Sequence, residues 1–219
     1  MTKRTAIQRY LSYHGEKYIM PEKAGVLKEV MQTFKREGQA ARLAFSDLAK
    51  AFQRQHPRFR LDRVSNWASQ AQVGRPHFWV YLQEEGREIS DPLYAFRLYG
   101  VPEEFGISVE VSIIERKKDD QSLLKQHRVL RTPAQDGCYY QYIDGDETHK
   151  LPSTEENRLH LLEQIRQGQI RKVLVKKDVP WVESQTEADL LVELEQAMQS
   201  LTPFYVQTLE AIEEDTLSI

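Results

Sequence analysis

Glu115 and Lys117 stand two residues apart at the end of FGISVEVSIIERKK, residues 105–118. On a β-strand that spacing puts both side chains on one face. With a carboxylate from a neighbouring strand, for which Asp91 is the candidate, such a face can hold Mg²⁺ while the lysine orients an attacking water. That is the chemistry of a metal-dependent nuclease. Phe105, Ile107, Val109, Val111 and Ile113 continue the same face, so the run reads as a core strand. The charges at its exit also have a simpler use: residues 115–120 solvate a turn and discourage edge pairing. Asp91 precedes a proline at the start of its own strand instead of lying inside one. The expectation is a core strand with a charged exit, and the E-x-K spacing is coincidence.

A second group points to nucleic acid. In FSDLAKAFQRQHPRFRLDRVSNWASQAQ (45–72), Arg58, Arg60 and Arg63, with Arg54, could reach phosphates. Asn66 and Gln70 would point outward from a helix as adenine readers. The connection between the two helices is longer than the usual helix-turn-helix turn, so an ordinary helical region with a basic surface fits the same residues. A third group is aromatic: Arg75, His77, Trp79 and Tyr81, together with Tyr140, could stack unpaired bases or line a pocket for a planar ligand. A sheet covered by helices needs aromatic filling in any case.

Other chemistries find less support. Cys138 is the single cysteine, so there is no disulfide or four-cysteine zinc site. A hairpin turning on Asp144-Gly145 would place His149 opposite Tyr140 and leave Cys138 diagonal, with no third residue to orient a dyad. The six histidines show no zinc-site spacing. Neither G-x-G-x-x-G nor a P-loop occurs, so no nucleotide cofactor is expected.

Charge is unevenly laid out although the net value is only −3. Residues 1–72 hold 14 Lys/Arg against 6 Asp/Glu, and residues 178–219 hold ten acids and no Lys or Arg. Such asymmetry marks a nucleic-acid-binding front end, or two ends that fold against each other. No apolar run is long enough to span a membrane, and the N-terminal stretch lacks the apolar core of a secretory signal. Cytoplasmic residence is expected.

The elements that must position these residues follow from periodicity. Helices are predicted from Pro21 to Gly38, from Gln39 to Gln55, and from Asp62 with Val64, Trp67, Ala68 and Ala71 inward. Period-two strands follow at 77–83, 93–99 and 105–115, with HRVLR (127–131) as a further candidate. After the hairpin, a capping signal at Ser153-Thr154-Glu155-Glu156 opens a helix that Gly168 ends. IRKVLVKK (170–177) is a strand. The last helix opens at Ser184-Gln185-Thr186-Glu187, buries Leu190, Leu191, Leu194, Met198 and Leu201, and breaks or restarts at Thr202-Pro203. The order is α+β, with a helical N-terminal third and then a mostly antiparallel sheet flanked by helices. The organisation expected is a helical region at 1–73 and an α+β domain at 74–219, packed as one unit.

NWASQAQ (66–72), RPHFWVYL (75–82), YAFRLYG (94–100), GISVEVSIIERK (106–117) and IRKVLVKK (170–177) together resemble a family of uncharacterised bacterial proteins of similar length. Some members carry the label glucose-6-phosphate 1-dehydrogenase, which the missing nucleotide-binding glycine motif of this chain does not support. The resemblance implies a bacterial cytosolic protein and transfers no catalytic residues. In general layout the chain also resembles the N-terminal DNA-binding modules of modification-dependent restriction systems. Taken together, a binding module for nucleic acid is expected first. An enzyme, either an Mg²⁺-dependent nuclease or a small-molecule enzyme with an aromatic pocket, is the alternative, and an assembly protein or homo-oligomer is the third.

Overall fold

Ala6, Ile7, Tyr10 and Leu11 recur at helical spacing behind Thr2, and they form the buried face of α1 (Lys3–Leu11). The Thr2 hydroxyl accepts the Thr5 amide as its N-terminal cap. The computed structural model describes residues 2–66, 73–76, 78–114, 120–144 and 147–210. Where the sequence suggests two helices, there is one: α2 runs without interruption from Lys28 to Gln55. Gly38 sits inside it with no left-handed backbone. An interior glycine costs a helix about 1 kcal/mol, which the burial of Phe34, Ala41, Ala44, Phe45, Leu48 and Phe52 outweighs. Leu43, which the apolar spacing of 39–55 would place beside Ala44, Leu48 and Phe52, is exposed.

Residues 62–66, where the expected third helix would begin, are not helical. β1 (Phe59–Leu61) pairs antiparallel with β2 (Trp79–Glu84), with Phe59 opposite Glu84 and Arg60 opposite Gln83. Beyond β1 the backbone keeps beside β2, Asp62 donating to the Tyr81 carbonyl and Ser65 to that of Trp79. Trp67, Ala68 and Ala71 lie outside the described residues. The remaining strands are β3 (Leu93–Val101), β4 (Glu104–Ser112), β5 (Tyr139–Asp144), β6 (Glu147–Pro152) and β7 (Val173–Pro180). The antiparallel sheet has the order β1-β2-β3-β4-β7-β5-β6. With α3 (Asp120–His127), α4 (Glu155–Arg166) and α5 (Glu187–Leu209), the class is α+β.

Two expected elements come out differently. Residues 128–131 form a 3₁₀ turn and not a strand. Val129 and Leu130 are adjacent and both fully buried, which the alternating sides of a half-buried strand do not allow. α5 continues through Pro203. Proline removes one helical hydrogen bond at a cost of about 3 kcal/mol, and the burial of Leu201, Phe204 and Tyr205 around it holds the helix together. The caps fall one or two residues later than the sequence suggests. Thr154 receives the Asn157 amide at the start of α4. Thr186 and Asp189 bond reciprocally at the start of α5.

The chain divides into two compact units that are discontinuous in sequence. The first comprises Met1–Glu85, Ala95–Ser108 and Asp178–Glu195, the second Gly86–Tyr94, Val109–Lys177 and Gln196–Ile219. The core of the first is aromatic: Tyr10 meets Phe78 at 5.0 Å, Phe45 meets Phe78 at 6.0 Å and Phe52 meets Phe96 edge-on at 4.9 Å. Its oppositely charged ends also meet, Lys3 with Glu187 at 2.6 Å and Arg4 with the Trp181 carbonyl at 2.9 Å. The second unit packs Val109, Val111, Val173, Val175, Tyr140 and Phe204. Inside it lies an ion pair, Lys176 to Glu110 at 2.7 Å, with side chains 3% and 0% exposed. Among the described residues no helix is long and apolar enough to cross a membrane.

Candidate nucleic-acid interface

Arg42, Ser46, Ala49 and Lys50 recur at three- and four-residue spacing, so α2 presents them on one face. Opposite them run Leu61, Asp62, Arg63 and Val64, and Val80 of β2 completes an open groove of about 390 Å³. Ser46 and Ala49 are small, which leaves this room between two longer cationic side chains. Arg42 fixes the groove's far wall. Its Nε donates to the Ser65 carbonyl at 2.9 Å and its Nη2 to that of Val64 at 2.6 Å. Lys50 is exposed, its Nζ 3.8 Å from the half-exposed Asp47 carboxylate.

The three arginines singled out in the sequence lie along this edge of the sheet. Arg58 is largely exposed, lies over the Phe59 ring at 4.8 Å and is 3.9 Å from Glu84. Arg60 is exposed while its Nη2 donates to Gln83 Oε1 at 2.7 Å. Arg63 is exposed in the groove wall. β1 is only three residues long, and these bulky cations are also what keeps such an edge from pairing with another chain. Asn66 is exposed just beyond, in irregular backbone and not on a recognition helix. Gln70 lies outside the described residues.

The aromatic group is only partly brought together. Trp79 and Tyr81 share one face of β2, both half-buried, and the Arg97 guanidinium lies 5.3 Å from the Trp79 ring centre. Arg75 is exposed, and its carbonyl accepts the Tyr10 hydroxyl at 2.9 Å. His77 lies outside the described residues. Tyr140 belongs to the second unit, where it is fully buried and burial pushes its phenol up, Ser153 partly offsetting the shift.

Of the nuclease candidates, Glu115 and Lys117 lie outside the described residues. Asp91 is already engaged: one carboxylate oxygen accepts the Glu88 amide at 3.0 Å and the other accepts Lys125. Among the described residues, no group of three or more His, Cys, Asp or Glu could hold a metal ion. The hairpin register also differs from the expected one. His149 is opposite Tyr142, stacked at 5.0 Å, and Tyr140 is opposite Leu151. Asp144 pairs with Glu147, so Asp144 belongs to β5 and not to the turn expected at Asp144-Gly145. Cys138 is buried, and burial raises its thiol while Lys177 lowers it.

Arg42, Lys50 and Arg97 were not among the candidates. The signal for the first two was the helical spacing of cations around Ser46 and Ala49. For Arg97 it was a lone charge inside the apolar run LYAFRLY. No protein-family model and no curated protein matches the chain.

Proposed function

We propose that the protein is a nucleic-acid-binding module, and that the β1 edge of the first unit is its contact surface. The observation that carries this is the run of Arg58, Arg60 and Arg63 along an exposed strand edge, continuing into a groove walled by Arg42 and Lys50. Cations that are exposed and weakly paired keep their charge available to phosphates. Displacement of counterions from a polyanion then supplies the affinity. Arg42 positions the groove wall, whereas Arg58, Arg60, Arg63 and Lys50 are the side chains that reach the ligand.

The test is a titration of labelled DNA and RNA at several salt concentrations against the parent chain and Arg58→Glu/Arg60→Glu/Arg63→Glu. Each phosphate contact adds roughly 0.7 to 0.9 to the slope of log affinity against log salt. Loss of three contacts lowers that slope by about 2 to 3 and weakens binding at low salt at least about tenfold. Unchanged affinity and slope in the triple variant would remove the proposal.

A further inference from the structure

Building on the nucleic-acid reading, we infer that the ligand is single-stranded, with unpaired bases stacking on Trp79 and Tyr81. β2 alternates from Trp79 to Leu82: Val80 and Leu82 are buried, Val80 under the α2 groove, while Trp79 and Tyr81 turn to the opposite face, where Gln83 at the end of the row is buried. Arg60 is on that same face, since it sits directly across from Gln83 and donates to its side chain. Arg97 of β3 reaches over Trp79 from the other side. The face therefore reads Arg60, Gln83, Tyr81, Trp79, Arg97, with two rings between two cations. Its reach is bounded, because Tyr99, two residues beyond Arg97, has Asp178 and Glu104 near enough to raise its phenol, after burial as the main cause.

Spacing decides the class of ligand. Side chains two apart on a strand are separated by about 6.8 Å, whereas stacked base pairs in a duplex repeat every ~3.4 Å. A duplex also keeps its base faces covered by their neighbours. Rings at twice the stacking repeat fit bases splayed from an extended single strand, each lying on its own aromatic side chain. The flanking guanidiniums then meet the phosphates before and after the two bases, and the strand continues past Arg60 to the Arg58–Arg63 edge.

The experiment compares oligo(dT) and oligo(U) with a duplex of equal length, using the full chain and intrinsic tryptophan fluorescence beside anisotropy. Expected are tighter binding of the single strands, quenching of tryptophan on binding, and about a tenfold loss in each of Trp79→Ala and Tyr81→Ala. Trp79→Phe keeps most of the affinity and loses most of the quenching. Tyr81→Leu, which keeps apolar contact with the sheet, should lose affinity as Tyr81→Ala does, and this separates stacking from a folding defect. Duplex binding equal to or tighter than single-strand binding, with the ring variants like the parent, overturns the inference. If the arginine triple variant still loses affinity in that case, the broader nucleic-acid reading stands. No binding of either form overturns both.

Discussion

Arg58, Arg60 and Arg63 stand in water along a strand edge of the first unit, whereas Lys176 of the second is sealed against Glu110 in a core that water does not reach. The residue types are similar and the energetics are opposite. A solvated cation contributes little to stability and remains available to a ligand. A buried cation has lost its hydration, so its partner is obligatory and the pair serves the fold. The basic surplus of residues 1–72 could have been spent on either role. Part of it is structural, as in Lys3 with Glu187 and Arg4 with the Trp181 carbonyl, and the edge-strand arginines are the part left in water.

The largest effect expected from this contrast is at the sealed pair. Lys176→Met leaves Glu110 charged and buried, and should cost about 3–5 kcal/mol of unfolding free energy. Glu110→Leu/Lys176→Met should recover much of that loss, because two apolar groups need no partner. Denaturant midpoints for the single and double variants measure both. A single variant within about 1 kcal/mol of the parent would show that the pair is dispensable and blur the comparison.

An intermediate effect tests the aromatic core of the first unit through pH. Tyr10 is buried and its phenol is pushed up to about 12 from 10.0, mainly by burial, the Arg75 backbone bond acting the other way. Between these values the folded chain holds a proton that the unfolded chain has released. Stability is therefore intact below about pH 10 and falls as pH rises towards 12. Tyr10→Phe loses the hydrogen bond to the Arg75 carbonyl, about 1 kcal/mol near neutral pH, and its alkaline decline is shallower. Equal declines in parent and variant, followed by denaturant midpoints, would refute this assignment. The smallest effect on stability belongs to Arg58→Glu/Arg60→Glu/Arg63→Glu, within about 0.5 kcal/mol per exposed site. A thermal melt like the parent's, beside a large loss of nucleic-acid affinity, sharpens the contrast between the two kinds of cation. A melt lowered as far as that of Lys176→Met would abolish it.

The sequence made the repeating patterns legible because each reports one element by itself. Period two in WVYLQ and LYAFRLY, the pairing of 139–144 with 147–152 and the stripe Leu190, Leu191, Leu194, Met198 and Leu201 all appear as strands, hairpin and buried helix face. What it misplaced depends on contacts far away in the chain. Gly38 and Pro203 look like stops until the packing that overrides them is seen. RVLR looks like a strand until Val129 and Leu130 are both found in the core. Alternation along β4 leaves Ser108, Glu110 and Ser112 on a face that a single strand would assign to solvent, yet all three are buried. For the proposed binding edge, the arginines were identified by type alone. Their placement on an extended edge depends on β1 pairing with β2, which 59–61 is too short to announce.

The discontinuous units have a consequence for how the protein is made. The first unit begins at the N-terminus and is completed by Asp178–Glu195, and Lys3 finds its partner 184 residues later. During synthesis at roughly 5–20 residues per second, α1 and α2 would wait on the order of ten seconds or more for the segment that closes their unit. Phe45 and Phe52 meet Phe78 and Phe96 earlier in synthesis, but Lys3 and Arg4 lack their partners at Glu187 and Trp181 until then. High contact order of this kind slows folding, so the chain completes its first unit only after nearly all of it has been made.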